Sequence, residues 1–283
     1  MRDLRATAGL VLALAAGLAL PARAQTSDQP NLIFTINGGL LTGGALWTVP
    51  RQLVFSEQNS MGNQWDTVSL ARRLHSGFLA SLTATYYFTP HVGVNAEAGF
   101  FGLESESACV PVGSLNPTPA NNNQNAQACT RANGANQAGA AQGLLVGLTF
   151  RATTRGIQPY VRPEIGIAFL SSSFVETAGN ALVNDTTVST VYFLADENHK
   201  ELTWVASLGA GVTFPLGPGY QLRFEARDLI IALPRPAGPA TDTARIANVG
   251  ALPDPPLAMR VVNVPSFTIG LDIVLERRRG HRY

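Results

Sequence analysis

Three segments of the chain alternate apolar and polar residues with a period of two, and each consists of two runs of roughly ten residues joined by a very short turn. In the first, Phe78, Ala80, Leu82, Ala84, Tyr86 and Phe88 stand against Gly77, Ser81, Thr83 and Thr85; past Thr89-Pro90-His91, Val92, Val94, Ala96, Ala98 and Phe100 stand against Gly93, Asn95, Glu97 and Gly99. The second pair covers about Gly143 to Arg151 and Ile157 to Phe169, turning through 153–156. Leu144, Val146, Leu148, Phe150, Ile157, Val161, Ile165, Ile167 and Phe169 make its apolar face, opposite Thr149, Arg151, Gln158, Tyr160, Arg162 and Glu164. The third runs from Leu202 to Phe214 and from Tyr220 to Ala226 around a Pro/Gly turn at 215–219. Its apolar face includes Trp204, Leu208, Val212, Phe214, Tyr220, Leu222 and Phe224, and its other face Thr203, Ser207, Gly209, Gly211, Thr213, Gln221, Arg223, Glu225 and Arg227. Alternation of this kind predicts strands with one apolar and one polar face.

Two flanking runs complete the set, Leu32 to Trp47 as a first strand and Ser266 to Leu275 as a last one, the latter with Asp272 on its polar face. One strand, three tight-turned pairs and one strand place every short turn at one end and four long connections, about 48–74, 103–142, 171–201 and 229–263, at the other. The prediction is an all-β fold, an eight-stranded antiparallel up-and-down transmembrane β-barrel with short periplasmic turns and long extracellular loops. Pro159 and Pro163 remove ladder donors, so a bulge or a shortened ladder is expected there. Residues 52–56 and 186–194 look β-like and extend the strands above the membrane; if they span it instead, the barrel has ten strands.

The N-terminus carries an address. Arg2 and Arg5 precede an apolar run from Ala8 to Leu20, and Ala22-Arg23-Ala24 fits the small-x-small cleavage pattern. Residues 1–24 are expected to be a cleaved signal peptide, 25–276 the barrel and 277–283 a basic tail. An uncleaved anchor is the alternative, disfavoured by the short apolar run. Past the signal no stretch of about 18 apolar residues follows, so an integral protein has only a closed barrel open to it.

Charge sharpens the picture. The 20 basic and 19 acidic residues become 17 and 18 once Arg2, Asp3, Arg5 and Arg23 are removed, so no nucleic-acid partner is expected. Glu97, Arg151, Arg162, Glu164, Arg223, Glu225, Arg227 and Asp272 all fall on the polar parity, where they should line the lumen and pair. An eight-stranded lumen is just wide enough for side chains to fill, and a balanced set of acids and arginines suits a plug better than an ion-selective ring. Phe88, Phe150, Tyr160, Phe214 and Tyr220 near the short turns, and Trp47, Phe78, Phe100, Phe169 and Trp204 near the long connections, make two aromatic girdles. Cys109 and Cys129, the only cysteines, are expected to form a disulfide in the second long connection. The segment 277–279, Arg-Arg-Arg, either rests on anionic head groups or is a solvated tail.

The runs LTATYYFTPHVGVNAEAGFFG and FEARD resemble the hairpin and penultimate strand of the small eight-stranded outer-membrane barrels, the OmpA-like and OmpX-like transmembrane domains. The resemblance covers essentially the whole chain after the signal and implies an outer-membrane location in a Gram-negative-type bacterium and assembly by the barrel-insertion machinery. It implies roles ranging from tether to adhesin to lipid enzyme. Two features depart from it: no peptidoglycan-binding domain follows the barrel, and residues 276–282 intervene between the last strand and Tyr283.

Three functions compete. The first is a surface-exposed structural or interaction protein whose loops meet lipopolysaccharide, outer-membrane lipids or an extracellular partner. A narrow small-solute channel is the second and a lipid-modifying enzyme the third. His75-Ser76 is the nearest approach to a catalytic pair, but adjacent strand residues face opposite sides. No phosphate loop, HxxxH or metal-ligand cluster occurs, so no cofactor and no catalytic residue is expected. Asn184-Asp185-Thr186 matches a glycosylation sequon. A soluble lipocalin-like barrel would need apolar residues inside, whereas here the charges share a face with glycine and threonine.

Overall fold

The structure, a computed structural model, describes residues 32–58, 62–114, 124–183, 187–196, 201–241 and 253–275. In chain order its elements are β1 (Leu32–Leu41), β2 (Ala45–Gln58), β3 (Gly62–Leu74), β4 (Gly77–Tyr87), β5 (Val92–Gly102), β6 (Ser105–Ser114), α1 (Gln124–Ala132) and β7 (Asn136–Gln137). They continue as β8 (Ala140–Arg151), β9 (Gln158–Leu170), β10 (Thr177–Val183), β11 (Thr187–Leu194), β12 (Leu202–Gly217), β13 (Tyr220–Pro236) and β14 (Leu257–Leu275). Eight of the strands close into an antiparallel barrel in the order β1-β14-β13-β12-β9-β8-β5-β4. No described helix is long and apolar enough to cross a membrane.

The register sets the barrel's shape. Stepping from Ile273 through Phe34, Ala84, Ala96, Val146, Ile165, Ala206 and Ile230 leads back to β14 at Asn263, ten residues from the start. Eight strands with that stagger tilt by roughly 40° to the barrel axis. Phe34, Ile36, Leu82, Val146, Ile165, Leu208 and Ile269 face outward and are exposed, while Thr35, Thr83, Asn95, Glu97 and Thr268 face inward and are buried. That is the inverse of a soluble barrel, and it suits hydrocarbon outside. Thr89 shapes the first short turn, accepting at Oγ1 from the backbone N–H groups of His91 and Val92 at 3.3 and 2.9 Å.

Three expectations change and two narrow to one of their alternatives. β1 stops at Leu41, and the predicted continuation to Trp47 belongs to β2, in a separate sheet. At Pro159 and Pro163 the expected alternative of a shortened ladder holds and the bulge does not: both prolines point outward, and their pairing with Val212 and Leu208 is unbroken. The β8–β9 ladder lapses only between the Gly147–Glu164 and Phe150–Val161 pairs, where Pro163 has no N–H to give. Tyr160 is no girdle residue, because its parity puts it inside the lumen. Trp47 is none either; it is 3% exposed, and its indole N–H donates to the Phe174 carbonyl at 2.8 Å.

The last outcome concerns the long connections, whose β-like runs form strands above the barrel, as expected, but in sheets of their own. β2, β3, β6 and β7 form a four-stranded sheet and β10 and β11 a hairpin, so residues 52–56 and 187–194 add strands above the barrel and none to its wall. β13 and β14 stay paired as far as Pro236–Leu257, well past the Leu41–Ser266 pair where β1 leaves the wall. α1 lies between these parts, joined to β6 by the Cys109–Cys129 disulfide. It ends at Gly134, whose φ of +75° is the left-handed stop that glycine supplies without strain. Together these elements make a compact head at the long-connection end of the barrel. Residues 1–31 and 276–283, with the expected signal peptide and the Arg-rich tail, lie outside the described residues, as do Asn184 and Lys200.

Candidate functional site

The lumen is filled by two chemistries in sequence along its axis. Toward the short turns, β5, β9, β13 and β14 bring charged side chains together. Arg162, 1% exposed, reaches Glu97 Oε2 at 2.9 Å, Glu225 Oε1 at 2.8 Å and Glu164 Oε1 at 3.4 Å. Arg227 lies 2.7 Å from Glu97 Oε1 and 3.6 Å from Glu164 Oε2. A second pair joins Arg223 to Asp272, whose carboxylate also accepts from Thr35 Oγ1 at 2.7 Å. Neutral donors complete the set: Tyr160 donates to Glu225 at 2.6 Å, Thr83 to Glu97 at 3.2 Å, and Asn95 to Glu164.

Space for these groups comes from β12, which carries little on its inner face. A Cβ at Gly211 would sit 2.5 Å from the Tyr160 hydroxyl, so only glycine lets that ring swing toward Glu225. Of the eight predicted lumen charges, the structure brings seven into ion pairs with one another. Arg151 is placed nearer the short turns, stacked 3.9 Å over the Tyr87 ring and donating to the Pro90 carbonyl at 2.5 Å. A small polar recess opens there between Arg151, Tyr160 and Arg223, with room for about one water.

Toward the long connections the inner face turns apolar. Leu41, Leu79, Phe101, Leu145, Val205 and Leu229 fill the upper lumen, and they are continuous with Trp47, Leu70, Leu103, Phe174 and Phe193 of the head. One hydrophobic core therefore runs from the barrel mouth into the head. Arg227, its guanidinium 6.0 Å over the Phe101 ring, marks the boundary between the two halves.

The head has polar anchors that parity reasoning on the wall did not reach. Arg72 is buried and donates to Ser107 Oγ at 3.0 Å, Gln137 Oε1 at 2.7 Å and the Ser173 carbonyl at 3.4 Å, tying β3 to β6, β7 and the β9–β10 connection. Burial pulls its guanidinium down to about 10, partly offset by Glu176, and it stays charged near neutrality. Gln52 clasps Ala240 through both backbone groups, at 2.8 Å from the N–H and 3.5 Å to the carbonyl. On the head's surface Glu106 Oε2 takes His75 Nε2 at 2.8 Å and Arg73 at 2.6 Å, and those hydrogen bonds hold its carboxyl below the usual carboxylate range. His75 has no serine or threonine hydroxyl bonded to its ring among the described residues.

A closed eight-stranded wall, apolar outside, charged within and capped at one end, defines an integral outer-membrane β-barrel protein. The chain belongs to the family of outer membrane protein β-barrel domains, whose model matches residues 10–251. No curated protein matches it. Among solved structures it is similar to Neisserial surface protein A, at 8% identity over 88% of this chain and 98% of that one with a TM-score of 0.40. Outer membrane protein OprG from Pseudomonas aeruginosa shares 13% identity over 88% and 98%, with a TM-score of 0.44. The outer membrane enzyme PagL shares 10% over 85% and 99%, with a TM-score of 0.33. A surface protein and an enzyme stand among these neighbours.

Proposed function

We propose that this protein is a non-conducting outer-membrane scaffold that carries a folded, disulfide-pinned head at the cell surface and acts through contacts of that head. The observation that carries the proposal is the filled lumen: seven ion-paired charges below, and an apolar core above that passes without a break into the head. A pore of either ion selectivity would need a water-filled path past Arg162 and Phe101, which are 1% and 0% exposed. The scaffold carries out no reaction of its own and needs no cofactor. Residues 1–24 direct export and are removed, the barrel-insertion machinery assembles the wall, and outer-membrane lipids with lipopolysaccharide surround it. The head's own partner is extracellular.

The test is electrical. Purified protein reconstituted in a planar bilayer should give no steady single-channel current over a wide voltage range. Reproducible unitary conductance from folded, heat-modifiable protein would overturn the scaffold and favour a small-solute channel.

A further inference from the structure

Where β1 ends, β14 loses a neighbour. β1 pairs with β14 up to Leu41–Ser266, and Thr42 adds one bond, its N–H donating to the Pro265 carbonyl at 2.8 Å. The chain then turns away through Gly43 and Gly44 into β2, which pairs with β3 and bends toward Ala240. From Pro265 up to Leu257, β14 therefore has β13 on one side and, among the described residues, no strand on the other. Backbone groups alternate sides along a strand. Because the Pro265 carbonyl points to the β1 side, the N–H and C=O groups of Asn263, Val261, Met259 and Leu257 point there too.

Proteins commonly blunt such an edge with charge, proline or a bulge. The β6 edge is treated so, by Pro111 on its open side. On β14 three of the four edge side chains are apolar and exposed instead, Leu257 39%, Met259 48% and Val261 52%, while Asn263 donates to Asp228. Only Pro265, at the bottom, lacks a donor. The inner face of the same hairpin carries Arg235 and Arg260, both exposed, the latter also donating from its guanidinium to the Leu46 carbonyl of β2.

We infer that the β14 edge from Leu257 to Asn263 is a docking site for an extended segment of another polypeptide, added as a strand above β1 with apolar residues on its outer face and acidic residues on its inner face. The alternating donors and acceptors specify an extended backbone, and the two arginines specify the charge of the face beside them. A second copy in the same membrane does not fit. Strands tilted by roughly 40° and related by an axis along the membrane normal cross at about twice that angle, too steeply to pair. The inference deepens the scaffold proposal, yet the two fail separately, since a conducting barrel could still dock a strand and a silent one could fail to.

The probe is a nine-residue synthetic peptide with valine at every second position and threonine and glutamate alternating between them. Its binding should slow amide exchange at Met259, Val261 and Asn263 on the order of tenfold or more. Val261→Pro removes a donor that faces the open side and spares the β13 ladder, so it should abolish binding while the unfolding midpoint stays put. Should that variant fail to fold, a peptide N-methylated on the amides facing β14 serves in its place and should not bind. Arg235→Glu with Arg260→Glu should weaken the glutamate peptide and favour a lysine version. Three outcomes overturn the proposal: edge amides already protected in the free protein, no binding at millimolar peptide, or equal binding to the blocked edge.

Discussion

The lower and upper halves of the lumen close the same barrel with opposite chemistry. Below, Arg162 and Arg227 are shared among Glu97, Glu164 and Glu225 at distances from 2.7 to 3.9 Å. Above, Leu145 and Leu229 pack with Phe101, whose other face borders Arg227, and merge with the apolar core of the head. An apolar filling is tolerant of rearrangement, because dispersion and burial do not depend on direction. A charged filling is not: each group is costly unless its few partners arrive in place. The lower half therefore specifies one arrangement of strands, and the upper half seals that arrangement against water.

The sharpest way to break this contrast is Arg162→Ala. It leaves three carboxylates facing one remaining guanidinium, and the loss should be about 3–5 kcal/mol, read as a lowered urea midpoint in lipid vesicles. Replacing a whole pair, Arg223→Met with Asp272→Leu, should cost much less than Arg223→Met alone; equal losses would mean that the pairing carries no weight. Phe101→Ala probes the other chemistry. A cavity under the head should cost about 3 kcal/mol, and Phe101→Leu should recover most of it, whereas Arg162→Lys should recover little because one ammonium cannot span three carboxylates.

The smallest effect lies on the head's surface. Glu106 titrates below its ordinary range in the folded state, so the unfolded chain binds the proton more readily. The stabilisation from its hydrogen bonds is present above the ordinary carboxylate pKa and is lost as pH falls through the depressed folded value. Protease resistance of the head should fall slightly over that acidic interval in the native protein, and Glu106→Gln should flatten the dependence. An unchanged slope in the variant would show that other acids set it.

The wall was legible in the sequence because the membrane enforces a strict parity: Phe78 to Phe88 and Val92 to Phe100 could face only one way. Inward parity alone places Glu97, Arg162, Glu225 and Asp272 in the lumen. The head was less legible, since its strands are held by contacts between distant segments, such as Gln52 with Ala240 and Trp47 with Phe174. One signal was present and unused. The inward positions Leu79, Phe101, Leu145, Val205 and Leu229 turn apolar at the long-connection end, which a water-exposed mouth would not favour. They announce a lid.

The position of Glu97 has a consequence for assembly. Its partner Arg227 stands on β13, and β5 and β13 are nowhere hydrogen-bonded neighbours in the wall. That pair cannot form by zipping adjacent hairpins one after another; it waits until the sheet has curled far enough for opposite sides to meet. A partly curled sheet in the bilayer carries that electrostatic debt throughout, and closure at the β1–β14 seam discharges it in one step. The chain should accordingly enter the membrane as an all-or-none event, with few long-lived half-formed barrels on the way.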